Sequence, residues 1–260
     1  MKRLYLCIKD LIGCDCHIHL FNIHDHIPTI DMGGVGFPDI SMRTEPELYT
    51  REAVIDMYKK NLVWFPGYDV LATAVEPETA IEVLEKFKLP GFGELKCYPT
   101  DKQGNPLPYK SEKYWKPLFE YADQHKLPVW IHWSLLTEDD YYSLMDIIMH
   151  HPNAKFVICH CGIDTEHACE KANTSQEMCF ERCLKLLERF PNTFADISWA
   201  GADFFLNNPQ YTLPDGKYVI GSDITPYDYE KHPEQFEENK QKYLKLKKTF
   251  INTASMYRIF

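Results

Sequence analysis

Two histidines spaced one residue apart open the chemistry of this chain. They sit in the segment Asp15-Cys16-His17-Ile18-His19. On a β-strand, side chains at i and i+2 share a face, so His17 and His19 can aim their rings at one ion, with Asp15 alongside. Cys14, Cys16 and Ile18 fall on the opposite face by the same alternation. Further polar side chains close other apolar runs: His132 after Val129-Trp130-Ile131, His160 after Phe156-Val157-Ile158-Cys159, and Asp223 after Tyr218-Val219-Ile220-Gly221-Ser222. Glu94 and Lys96 lie in Gly91-Phe92-Gly93-Glu94-Leu95-Lys96, and Asp196 closes the run at 193–197. A lone histidine after an apolar run is ordinarily a satisfied core or loop residue, and Asp223 alone could cap a helix. Together they are harder to explain by packing. Burying that many polar groups without partners would cost about 1–3 kcal/mol each, and a shared cation removes the penalty.

The elements that must position these groups recur along the chain. Apolar runs at 11–17, 69–75, 91–97, 128–132, 155–159, 193–197 and 217–222 alternate with helical patterns near 46–60, 77–88, 112–125, 138–150, 175–190 and 233–251. Glu78, Glu82 and Lys86 repeat on one helical face, opposite Ile81, Leu84 and Phe87. Strands that are apolar throughout belong in a parallel sheet covered on both faces. Seven strands are readable, and an eighth is expected either at 61–65 or within 27–42. The pattern predicts an α/β fold, a (β/α)8 TIM-type barrel in a single domain spanning 1–260. In such barrels the C-terminal strand ends build the active site, so the polar residues would converge there.

With 260 residues the chain has the length of one such barrel. A net charge of −10 disfavours binding to phosphate backbones, so no nucleic-acid partner is expected. The one dense basic stretch, 240–248, follows an acidic run and reads as a solvated helix surface. No apolar stretch approaches a membrane span, and no signal peptide is expected. Nine cysteines, without a CxxC pair, fit free thiols in a reducing cytoplasm. Cys14, Cys16, Cys159 and Cys161 are expected to face away from the site. A small-molecule substrate is anticipated, and a homo-oligomer is compatible with the sequence.

These motifs resemble those of the amidohydrolase superfamily. Asp15-Cys16-His17-Ile18-His19 is similar to its opening DxHxH strand; Trp130-Ile131-His132, Cys159-His160-Cys161-Gly162 and Gly221-Ser222-Asp223 resemble its motifs of strands five, six and eight. The match is closest to the amidohydrolase-related group, which shares the proline-ended Lys96-Cys97-Tyr98-Pro99 segment and includes lactone hydrolases, hydratases and decarboxylases. The resemblance implies His17, His19, His132 and Asp223 as ligands of one divalent metal, zinc in the first instance, with His160 catalytic beside it. Gly93-Glu94-Leu95 is similar to TatD-like hydrolases, where the glutamate and the histidine of strand six help hold a second ion. Glu94 and His160 are therefore the expected ligands of a second metal, if one binds. The implied reaction is attack of metal-activated water on an amide, ester or lactone, with Asp223 moving the proton and His160 stabilising the oxyanion. A decarboxylase on the same scaffold is the alternative, and a TatD-like phosphodiesterase a minor one. Lys96, Tyr98 and Trp133 are candidate substrate contacts, with Trp199 near another strand end. His24, His26 and Arg43 fit exposed loops better than substrate contacts.

Overall fold

The computed structural model describes residues 15–20, 34–38, 51–64, 68–72, 76–96, 112–223, 232–249 and 259. Eight strands lie among them: β1 (Asp15–Leu20), β2 (Gly34–Pro38), β3 (Tyr68–Val70), β4 (Phe92–Lys96), β5 (Pro128–His132), β6 (Lys155–Ile158), β7 (Thr193–Ile197) and β8 (Tyr218–Ile220). The helices are α1 (Arg51–Trp64), α2 (Pro77–Phe87), α3 (Glu112–His125), α4 (Glu138–His150), α5 (Glu166–Lys171), α6 (Gln176–Arg189), α7 (Trp199–Asn207) and α8 (Pro233–Thr249). Positions 61–64 belong to α1, and the eighth strand is β2, in the other of the two expected places. Helices α5 and α7 are additional to the periodicity reading. Among the described residues, no helix is long and apolar enough to cross a membrane.

Every strand pair is parallel, β1 to β3 forming one run and β4 to β8 the other. Two sets of backbone contacts join the runs. Beyond β3, Ala72 N donates to Gly91 O at 2.8 Å and Gly93 N donates to Ala72 O at 2.9 Å. Beyond β8, Asp223 N donates to His17 O at 2.8 Å. These contacts complete an eight-stranded circuit, the expected TIM-type barrel.

Alternation divides the strand residues between two cores. Val129, Ile131, Phe156, Ile158, Ala195 and Ile197 pack outward against α3, α4, α6 and α7 through Phe119, Leu144, Leu186 and Phe204. Trp130, Val157, Phe194 and Val219 turn to the other face and meet Cys16, Leu71, Cys159 and Ile259. Two expectations fail here. Cys16 and Cys159 point into this inner cluster, whereas Cys161, past a turn of positive φ, packs on the helix side as expected. For Cys16, the pairing of β1 with β2 shifts register between Asp15 and Ile18, so strict alternation does not hold through Cys16 and His17.

Local sequence explains the helices. Pro77 enters the first turn of α2, where a missing N–H costs nothing, and Ala80, Val83 and Leu84 form its buried stripe. Thr137 and Asp140 make a reciprocal capping box at α4: Asp140 N donates to Thr137 Oγ1 at 3.1 Å and Thr137 N donates to Asp140 Oδ2 at 3.0 Å. Thr165 and Ser175 cap α5 and α6 through the N–H groups of Ala168 and Met178. At the opposite end of the barrel, Asp123 closes the turn before β6, accepting from Asn153 N at 2.6 Å and Ala154 N at 3.2 Å.

Candidate active site at the C-terminal strand ends

The ends of β4 to β8 and the start of the circuit at β1 deliver a continuous run of polar contacts. Asp223 Oδ1 lies 3.2 Å from His17 Nε2. On the other side of that ring, Nδ1 meets Asp196 Oδ2 at 2.5 Å. Ser198 Oγ donates to the same Asp196 oxygen at 2.8 Å and lies 2.8 Å from His160 Nδ1. His160 Nε2 then faces Glu94 Oε1 at 3.3 Å, and Glu94 Oε1 accepts from His132 Nδ1 at 2.8 Å. The ring centroids of His17 and His160 are 5.2 Å apart, and those of His132 and His160 are 4.8 Å apart. His17, Glu94, His160, Asp196 and Ser198 are buried; His132 and Asp223 are partly open, with side chains 21% and 13% exposed.

The backbone is shaped to hold this arrangement. Seven non-glycine residues have positive φ among those described, and four belong to this region: His160 (57°), Cys161 (57°), Trp199 (42°) and Asp223 (53°). Such conformations cost about 1–3 kcal/mol each and persist where surrounding contacts over-determine them. Glycines admit close approaches. A Cβ on Gly221 would come within 2.6 Å of His17 N, and one on Gly201 within 2.7 Å of His160 O. The segments after β5 and β6 are tied together. Leu135 N donates to Gly162 O at 2.8 Å, and Ser134 Oγ donates to Asp164 Oδ2 at 2.7 Å. Arg182 of α6, itself buried, donates to Leu135 O at 2.9 Å, Leu136 O at 3.0 Å and Glu138 Oε1 at 3.1 Å.

Charge is distributed unevenly along the run. Burial disfavours the His17 cation, yet Asp196 and Asp223 outweigh it and hold the imidazole well above its ordinary pKa. Burial likewise opposes the Glu94 anion, but the His132 and His160 rings hold its carboxyl well below the usual range. Cys159 moves the other way: burial and the nearby Glu94 charge push its thiol up, so it stays a neutral neighbour.

The donor set fits a divalent cation. His17, His160 and Asp196 each offer a ligand atom within 4.8 Å of the others, and so do Glu94, His132 and His160. Asp196 Oδ1 is buried without a hydrogen-bond partner among the described residues. With Nδ1 of His17 bound to a carboxylate, its Nε2 is left as the metal-facing atom, the arrangement that orients imidazole ligands in metal sites.

Of the residues singled out in the sequence, the structure brings together His17, His132, His160, Glu94 and Asp223. Trp133 is not among them: it is 1% exposed, packs on the helix side, and donates from Nε1 to Asp140 O at 3.0 Å. Its place near the rings is taken by Trp199, 5.1 Å from His160 and 6.1 Å from His132 between ring centroids. The backbones of His19 and Lys96 lie in β1 and β4, but their side chains, and Tyr98, His24, His26 and Arg43 altogether, lie outside the described residues. Asp196 and Ser198 gain parts that the sequence reading did not assign. The apolar run ending Asp196-Ile197-Ser198 was the available signal.

Comparison with known proteins agrees with this fold. The amidohydrolase family model matches residues 64–235. No curated protein matches the sequence. Among solved structures, an amidohydrolase from Burkholderia multivorans is similar over 95% of this chain and 98% of its own, at TM-score 0.59 and 9% identity. A dihydroxybenzoic acid decarboxylase from Polaromonas sp. JS666, solved with manganese bound, aligns over 90% and 97% at TM-score 0.51 and 13% identity. Dihydroorotase from Saccharomyces cerevisiae aligns over 96% and 85% at TM-score 0.50 and 15% identity. At these identities the structures show a shared fold. The family match extends over more than half of the sequence and contains the ends of β4 to β8, and on that ground the chain belongs to the amidohydrolase family of metal-dependent hydrolases.

Proposed function

We propose that this protein uses a bound zinc ion to hydrolyse an amide, ester or lactone bond in a small molecule. The observation that carries the reading is the unbroken run from Asp223 through His17, Asp196, Ser198, His160 and Glu94 to His132. His17, His132 and Asp223 would hold the ion, with His19 of the DxHxH segment as the further ligand that the family resemblance implies. Glu94 and His160 would serve a second ion, should two bind. When bound, the cation supplies Lewis acidity and brings the pKa of water down to roughly 7.

The residues of the chain do the remaining work. Asp223, partly open and fixed by its backbone bond to His17, accepts the proton from the attacking water and delivers it to the leaving group. His160, once protonated at Nε2, donates to the oxygen on which negative charge develops. Trp199 packs by the His132 and His160 rings and would give the substrate an apolar wall. Lys96 and Tyr98, at and just beyond the end of β4, are the proposed contacts for a substrate carboxylate or ring.

Metal analysis of purified protein, beside the His17→Ala variant, tests the metal. One or two zinc equivalents are expected in the parent and far less in the variant. A panel of small amides, esters and lactones, run beside aromatic acids with carbon dioxide detection, tests the reaction. Ring opening or ester cleavage that disappears with chelator supports the hydrolase; carbon dioxide release alone replaces it with the decarboxylase. Full activity in metal-free protein refutes both.

A further inference from the structure

Ser198 occupies the N-cap position of α7 with extended backbone, φ −145° and ψ 172°, yet its side chain makes no capping bond. Thr137, Thr165 and Ser175 all cap their helices with the same kind of hydroxyl. A capping serine or threonine contributes about 1 kcal/mol, so the Ser198 hydroxyl forgoes a favourable local bond. It turns instead into the site, where it is completely buried among His17, His160 and Asp196. The next residue, Trp199, takes the positive φ of 42°.

Proton counting then determines what the hydroxyl does. A serine has one proton to donate, and an ionised carboxylate only accepts. Ser198 Oγ lies 2.8 Å from Asp196 Oδ2, so the hydroxyl proton must sit in that contact. The second 2.8 Å contact, to His160 Nδ1, therefore needs a proton from the ring. His17 Nδ1 cannot supply or take it, because that atom is already engaged with Asp196 at 2.5 Å. If His160 carried its single proton on Nε2, Ser198 would have to donate to Nδ1, leaving two bare oxygens 2.8 Å apart. With the ring proton on Nδ1, only the longer contact of Nε2 with Glu94 Oε1, at 3.3 Å, is left to be filled, by an ion or by a second ring proton.

We propose that Ser198 is a positioning residue that fixes His160 as the Nδ1–H tautomer, so that Nε2, facing Glu94, is the atom that takes up and releases a proton or binds an ion. The consequence for the proposed reaction is direct. A ring locked at Nδ1 presents its reactive nitrogen to the substrate side without sampling the other tautomer. The zinc measurement below rests on the metal-dependent reading; the spectroscopic one does not.

The test uses protein labelled with 15N-histidine, with the His160 signals assigned by their loss in His160→Gln. In the parent, His160 is expected to show protonated Nδ1 and, in its neutral form, a bare Nε2. Ser198→Ala should shift the ring toward the Nε2–H tautomer, and Ser198→Thr, which retains the hydroxyl, should keep the parental pattern. Zinc affinity, measured by competition with a chelator, should weaken about tenfold in Ser198→Ala and recover in Ser198→Thr, the size of effect seen when groups supporting metal ligands are removed. An Nε2–H tautomer in the parent overturns the proposal without any variant having to fold. An unchanged His160 spectrum in Ser198→Ala overturns it as well. Parent protein that binds no zinc but shows the Nδ1–H ring defeats the metal reading and leaves Ser198 in its assigned role.

Discussion

The two wings of the site are built with inverted charge. In one, the His17 imidazole lies between two carboxylates, Asp196 and Asp223. In the other, the Glu94 carboxylate lies between two imidazoles, His132 and His160. Both central groups are buried, so each would be penalised alone, and each is held in its charged form by its pair of neighbours. The first wing sets two carboxylates around one imidazole, and a cation added there is stabilised; the second sets one carboxylate between two imidazoles. Ser198 joins the two, so a disturbance in one wing has a short path to the other.

Substitutions can break this contrast, beginning with the strongest. His17→Ala removes the central group of the acidic wing; more than about 100-fold loss of zinc affinity is expected, beyond the 10–100-fold typical of supporting residues. Equilibrium dialysis would show it, and parental affinity would contradict the assignment. Asp196→Asn keeps the shape but removes one negative charge, and about 10–100-fold weakening is expected. Glu94→Gln should weaken zinc less than Asp196→Asn if one ion is held by His17, His132 and Asp223, and equally or more if a second ion uses Glu94 and His160. Gly221→Ala leaves all charges intact and drives a methyl into the backbone of His17. Overpacking of this kind costs about 1–3 kcal/mol, which lowers Tm by about 2–10 °C for a chain of this size. Calorimetry reads that shift, and an unchanged Tm would mean that β1 and the end of β8 are not held in contact.

The smallest effect belongs to a control at the other end of the barrel. Burial raises the Asp123 carboxyl, but bonds from Asn153 and the Ala154 N–H outweigh it and set a net lowering. A lowered folded pKa contributes stability above the unfolded value near 3.8 that disappears as pH falls through the folded value. Asp123→Asn should therefore cost about 1 kcal/mol near neutral pH, and less as the pH falls below 3.8, with zinc affinity unchanged. A metal-binding defect in this variant would show that the site is not insulated from the opposite barrel end.

The sequence exposed the repeating strands and the residues that cap them, because an apolar run ending in an imidazole or carboxylate marks both at once. It did not expose what happens past a strand end. His160 lies one residue beyond the end of the turn's entry at Cys159, in a short 3₁₀ turn after β6, and its positive φ removes it from the alternation that places Ile158. Cys159 shares the inner face of Val157, two residues before it, contrary to expectation. Trp133 looked equivalent to Trp199 as an aromatic following a strand; only the packing of α4, which supplies the Asp140 carbonyl, separates a core residue from a site neighbour. Ser198 was hidden for another reason. Periodicity shows no helix over 199–207, so nothing around Ser198 singles out its hydroxyl as one that caps or as one that points elsewhere.

The Arg182 clamp has a bearing on how stiff this end of the barrel is. Its guanidinium fastens two consecutive carbonyls of the β5 segment to α6, while Leu135 and Ser134 fasten the same segment to the one after β6. That part of the rim cannot swing out without breaking several buried bonds at once. Slow hydrogen exchange at the Leu135 amide is the signature such a stiff rim would leave.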